Sequence, residues 1–187
     1  MEKGMSRAIF LDRDGVIIEN RSNYVRSWAD VAFLPGAVEA LQRLAASPYK
    51  IVVVTNQSAV GRGIITNSEA DAINQLLLKS VREGGGRIDA LYMCPHAPQE
   101  ACQCRKPRPG MLLEAAHDLH INLEDSLMVG DALSDLQAGR AAGVADNYLV
   151  LTGRGKDQLR LPEAALIRSF ETINSLVALP AIIEKNT

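Results

Sequence analysis

Short apolar runs alternate with amphipathic segments along almost all of this 187-residue chain, and that alternation commits it to a parallel α/β sheet. The runs fall at 8–11, 51–54, 88–93, 127–129 and 148–151. Between them, helices are expected over 35–46, from the Thr66-Asn67-Ser68-Glu69 capping box to Gly84-Gly85-Gly86, over 109–119 and over 133–142. The region 176–183 has helical periodicity interrupted by Pro180. There is no internal repeat or linker, so residues 1–187 are expected to form one domain, with 1–6 a loose tail.

In parallel sheets the chemistry sits just beyond the carboxyl ends of the strands. Four consecutive runs lead directly into polar groups: Asp12-Arg13-Asp14-Gly15, Thr55-Asn56-Gln57-Ser58, Cys94-Pro95-His96, and Gly130-Asp131 with Asp135 beyond. Asp12 and Asp14, two residues apart, can supply a nucleophile or metal ligand and a general acid/base, or can be solvated carboxylates of a turn. Asp131 at another strand end can meet Asp12 around a hard cation, for which oxygen ligands favour Mg²⁺. Thr55 and the amides after it can hold an anion or cap a helix. Arg105-Lys106-Pro107-Arg108 is a compact basic cluster, suited to phosphate or to a solvated face. Asp135 can orient Lys106, assist the metal or satisfy a helix dipole.

All three cysteines fall within 94–104, and with one histidine they form Cys94-x-His96-x₅-Cys102-x-Cys104. Three thiolates and one imidazole are a closed tetrahedral zinc set with no position left for substrate, so the loop is expected to be structural. The odd cysteine count argues against a disulfide framework.

Composition excludes several classes. A 47% hydrophobic content excludes a disordered chain, and a net charge of −2 with 4% aromatic residues argues against nucleic-acid binding. No apolar stretch approaches the ~18 residues that span a bilayer, and the N-terminus lacks a secretory pattern, so a cytoplasmic location without membrane attachment is expected.

The segments DRDG at Asp12, VVVTNQS ending in Thr55 to Ser58, CRKPRPGM around Lys106 and VGDALSD around Asp131 resemble the four motifs of the haloacid dehalogenase (HAD) superfamily. The zinc loop leading into RKP is similar to the branch holding D-glycero-D-manno-heptose 1,7-bisphosphate phosphatases and histidinol-phosphate phosphatases, with RGIIT and PGMLLEA closer to the heptose enzymes. The resemblance implies a Rossmann-like fold and a Mg²⁺-dependent phosphatase acting through an aspartyl-phosphate on the 7-phosphate of the heptose bisphosphate, in precursor synthesis for lipopolysaccharide or another surface glycan. The alternatives are a histidinol-phosphate phosphatase and, in another class, a zinc-stabilised module that binds metal or phosphate without turnover.

By the same resemblance Asp12 is the nucleophile and Asp14 the acid/base, with Thr55 and Lys106 holding the phosphoryl oxygens. Mg²⁺ falls to the side chains of Asp12 and Asp131 and the carbonyl of Asp14, and Zn²⁺ to Cys94, His96, Cys102 and Cys104. Substrate contacts fall to Asn20, Arg21, Ser22, Asn23, Asn56, Gln57, Ser58 and Arg105. The short interval from Asp14 to Thr55 leaves no room there for a large cap domain, so an open site for a small phosphorylated sugar is expected, on a monomer. Ala132 stands where the GDK form of the fourth motif has a lysine.

Overall fold

The computed structural model describes residues 5–167 and 169–185. Six strands, β1 (Ala8–Leu11), β2 (Lys50–Asn56), β3 (Ala90–Cys94), β4 (Leu127–Gly130), β5 (Asp146–Val150) and β6 (Glu171–Ile173), form one sheet. Its order is β3-β2-β1-β4-β5-β6, and every pairing is parallel. β1 is central and fully buried, and its four residues are all apolar, as a strand covered on both faces requires.

The period-two alternation of β1 assigns its side chains to two cores. Ile9 and Leu11 pack into one cluster with Leu41 and Leu44 of α1 (Ala37–Leu44) and Ile73, Leu77 and Val81 of α3 (Asn67–Glu83). Ala8 and Phe10 face the other, with Met111, Leu112 and Ala115 of α4 (Gly110–Leu119) and Ala138 of α5 (Leu133–Ala142). Helices therefore cover both faces, which is the expected Rossmann-like architecture. The strand order reverses between β1 and β4, and a crevice at the carboxyl ends is required at that point.

The helix starts follow local chemistry. The Thr66 hydroxyl accepts from the Glu69 amide at 3.2 Å, while Glu69 Oε2 accepts from the Thr66 amide at 2.7 Å. Pro180 does not break the last helix, α7 (Leu179–Lys185); it lies in its first turn, where a missing N–H removes no intrahelical bond. Two short helices were not expected, α2 (Ser58–Gly61) and α6 (Gly155–Leu159), and neither was β6.

Between Asp14 and β2 the regular elements are a 3-10 turn at Trp28–Asp30 and α1, with no room for a large cap. The loop over residues 20–28 forms a flap, tied at its base by an isolated bridge between Ile18 and Phe33. The expected loose tail overlaps the described residues only at Met5 and Ser6. There Ser6 pairs with Ile121, its amide donating to the His120 carbonyl at 2.8 Å; residues 1–4 lie outside the described set. Among the described residues no helix is long and apolar enough to cross a membrane.

Candidate active site

β1 and β4, neighbours in the sheet, deliver Asp12 and Asp131 side by side at their carboxyl ends, where the Asp12 amide continues the ladder by donating to the Val129 carbonyl at 2.9 Å. Gly15 turns the chain immediately afterwards. Its φ is +86°, and a Cβ there would fall 2.2 Å from Asp131 Oδ2, so both backbone conformation and space require glycine. Oxygens of Asp12, Asp131 and Asp135 lie within 4.8 Å of one another, and all three residues are buried. Buried convergent carboxylates fit a hard divalent cation, which offsets their mutual repulsion.

Lys106 supplies the opposing charge. Its ammonium donates to Asp12 Oδ1 at 2.8 Å, Asp135 Oδ1 at 2.7 Å and the Val54 carbonyl at 2.7 Å, so all three protons have acceptors. Burial acts against the ammonium, but Asp12 and Asp135 outweigh it and hold its pKa above the ordinary lysine value. Burial pushes the Asp12 carboxyl up to about 7, with Lys106 opposing and Asp135, Asp131 and Asp14 adding to the rise. Asp135 has two of the roles open to it: Oδ1 takes Lys106, and Oδ2 accepts from the Ala132 amide at 3.0 Å, closing the start of α5.

Asp14 lines the cavity but stands outside the three-carboxylate set. Arg13 Nε donates to its Oδ2 at 3.0 Å and Nη2 to its Oδ1 at 3.2 Å. Gln57 Nε2 adds a bond to Oδ2 at 2.9 Å and also donates to the Thr55 hydroxyl at 2.7 Å. Asn56 spends its amide on the main chain of Lys106, donating to the carbonyl at 3.0 Å and accepting from the amide at 3.1 Å. Asn56 and Gln57 were expected to contact substrate. They line the cavity, yet their amides hold Lys106, Asp14 and Thr55.

The cavity above these groups has a volume of about 600 Å³. Of the expected substrate contacts, Asn20, Arg21, Ser22, Ser58 and Arg105 line it. Asn23 does not; it faces a separate hollow on the flap beside Arg26 and Asp30. Asn20 also donates to Asp131 Oδ2 at 2.6 Å.

Two arginines escaped sequence reasoning. Arg13, only 1% exposed, lies inside the Asp12-Arg13-Asp14-Gly15 turn, where nothing in the sequence separates it from a solvated charge. Arg154 follows β5 and donates from Nη2 to Asp131 Oδ1 at 2.9 Å, and from Nε and the main-chain amide to Oδ2 at 3.2 and 2.9 Å. The available signal was the Thr152-Gly153-Arg154 segment directly after the fifth apolar run, the same position from which the other site groups come.

The cysteine loop assembles as a compact tetrad. The Cys94, Cys102 and Cys104 sulfurs are 3.2–3.5 Å apart, and His96 Nδ1 lies 3.3 Å from Cys104 Sγ and 3.6 Å from Cys94 Sγ. Zn–S and Zn–N bonds of ~2.0–2.3 Å give tetrahedron edges close to these, so the four groups fit zinc. The loop connects to the site directly, because Arg105 Nη1 donates to the His96 carbonyl at 3.1 Å.

Residues 103–177 match the HAD-hydrolase-like family model. The chain is 40% identical over 185 residues to the D-glycero-beta-D-manno-heptose-1,7-bisphosphate 7-phosphatase of Escherichia coli, covering 95% of this chain and 94% of that one. It is 38% identical over 164 residues to the Bordetella bronchiseptica protein of the same name, covering 86% of this chain and 91% of that one. The crystal structure of the D,D-heptose 1,7-bisphosphate phosphatase from B. bronchiseptica, complexed with magnesium and phosphate, superposes with a TM-score of 0.88 at 34% identity. The match covers 97% of this chain and 99% of that one.

Proposed function

The chain belongs to the D-glycero-beta-D-manno-heptose-1,7-bisphosphate 7-phosphatase family of HAD-like hydrolases, and from that membership we propose that it removes the 7-phosphate of the heptose bisphosphate through an aspartyl-phosphate on Asp12. The observation that carries this reading is the buried ammonium of Lys106 set between Asp12 and Asp135, under a cavity entered by Arg21, Arg105 and Arg154. A bisphosphate needs cations at both ends. Lys106 stands at the reacting end, and Arg21 and Arg105 on the cavity wall offer charge to a second phosphate, while Arg154 is held at Asp131.

In this account an Asp12 oxygen attacks the 7-phosphorus as the bond from phosphorus to the sugar oxygen breaks, and Asp14 gives that oxygen its proton. Asp14 then takes a proton from water as the water oxygen attacks phosphorus, and the phosphorus–Asp12 bond breaks to release inorganic phosphate. Thr55 and Lys106 hold the phosphoryl oxygens. Phosphoryl transfer depends mainly on positioning and charge neutralisation, which buried groups with fixed partners supply. Asp12 and Asp131, with the carbonyl of Asp14, would hold Mg²⁺, which when bound neutralises charge on the transferring phosphoryl group. The magnesium and phosphate in the B. bronchiseptica structure support magnesium as the ion.

The tetrad would hold Zn²⁺ as a structural ion that fixes Arg105 and Lys106. The absence of a large cap leaves the site open, in keeping with a small phosphorylated sugar. We place the reaction in the cytoplasmic supply of heptose precursors for lipopolysaccharide or another surface glycan, carried out by a monomer. Phosphate release with Mg²⁺ from both anomers of the heptose bisphosphate and from histidinol phosphate tests the reading. Preference for a heptose anomer upholds it; preference for histidinol phosphate keeps the chemistry and replaces the substrate.

A further inference from the structure

Arg13 is buried to 1% exposure, a state in which arginine is found almost only when paired. Its guanidinium forks onto both oxygens of Asp14, at 3.0 and 3.2 Å, while its remaining nitrogen, Nη1, donates to Asn74 Oδ1 at 2.8 Å. Asn74 is itself 3% exposed on α3, and its own amide nitrogen donates to Met93 Sδ at 3.5 Å. The carboxylate of Asp14, by contrast, is 21% exposed and opens on the cavity. A helix amide thus fixes a buried cation from behind, and the cation aims the one partly open carboxylate of the site.

We propose that Arg13, anchored by Asn74, is a positioning residue that sets the orientation from which Asp14 gives and takes its proton. The inference rests on the reading of Asp14 as the acid/base. The fork occupies one lone pair on each oxygen, and Gln57 takes another on Oδ2, so the direction left for a proton is defined by fixed neighbours. Proton transfer needs hydrogen-bond geometry at the reacting oxygen, whereas ground-state binding of a phosphorylated sugar does not involve this carboxylate in the same way. Loosening the anchor should therefore lower kcat and leave KM nearly unchanged.

The experiment compares Asn74→Leu in two backgrounds, wild type and Asp14→Asn, using the magnesium-loaded enzyme with the heptose bisphosphate and reading phosphate release over hours for the slow variants. Asn74→Leu keeps side-chain size and removes the acceptor on which Arg13 rests. Its Tm and zinc content are measured in parallel, and Arg13→Lys serves as a second variant with one charge and no fork. The expected result is a roughly ten- to hundredfold loss of kcat in wild type with KM within about twofold, and less than about a twofold further loss in Asp14→Asn. Arg13→Lys should show the same kcat-only loss. An equal loss in both backgrounds would mean a purely structural role, and no loss in wild type would mean none; either overturns the proposal. Full activity of Asp14→Asn alone would instead overturn the assignment of Asp14 beneath it.

Discussion

The Lys106 ammonium stands 2.8 Å from Asp12 Oδ1 and 2.7 Å from Asp135 Oδ1, so a single buried cation joins the turn after β1 to the first turn of α5. Lys106→Met removes that cation and leaves two buried carboxylates facing each other. Breaking a buried pair from one side costs about 3–5 kcal/mol, and the loss of charge at the phosphoryl group lowers turnover by about a thousandfold or more. Denaturant unfolding and phosphate release check the two effects. A variant as stable and as active as the parent would contradict this view of the pair.

Arg154 covers both oxygens of Asp131, one of the carboxylates proposed to hold Mg²⁺. The arginine side chain is 57% exposed and the carboxylate fully buried, so solvent screens the pair from one side and its pull is worth about 1 kcal/mol, the top of the range for exposed pairs. Arg154→Ala should consequently bind Mg²⁺ about fivefold more tightly by calorimetry without substrate. Weaker binding in the variant would show that the guanidinium assists the metal instead of competing with it.

The cysteine tetrad reaches the site through Arg105 and its bond to the His96 carbonyl. If the tetrad holds zinc as proposed, Cys104→Ser should contain none by metal analysis and should fall about tenfold in kcat/KM, since supporting contacts around a metal loop are worth factors of this size. Unchanged turnover in protein verified to be zinc-free would separate the loop from the chemistry.

The start of α3 carries a pH signature in stability. Bonds from the Thr66 amide and then the Thr66 hydroxyl hold the Glu69 carboxyl below its ordinary value of 4.5. The folded chain therefore keeps this group ionised where the unfolded chain has begun to bind a proton. Its contribution is complete above about 4.5 and is lost as pH falls through the lower folded value. Glu69→Gln should be less stable than the parent at neutral pH, and the difference should close in acid. Urea midpoints across that range measure it, and a pH-independent difference would rule out the carboxylate as its source.

Much of this arrangement is legible in the residues because burial on both faces forces continuous apolar strands and their ends mark the crevice. Asp12, Thr55 and Asp131 each follow such a run, and β1, β2 and β4 carry them. β6 was invisible because only Ile173 of its three residues is buried, so neither an apolar run nor an alternation exists to be read. Arg13 and Arg154 were missed for a different reason. A buried arginine and an exposed one look alike in sequence, and the partners that distinguish them, Asn74 and Asp131, lie 61 and 23 residues away. Asn56 and Gln57 sit where substrate contacts were expected, but only geometry reveals that their amides are committed to Lys106, Asp14 and Thr55.

Asp12 is proposed to carry the phosphoryl group during turnover. Acid-quenching the magnesium-loaded enzyme during turnover of heptose bisphosphate labelled at the 7-phosphate, followed by mass-spectrometric location of the label, tests it most directly. The expected result is a labelled aspartyl-phosphate at Asp12 that is absent from Asp12→Asn. Phosphate release at the parental rate from Asp12→Asn, or a label on any other residue, would contradict it.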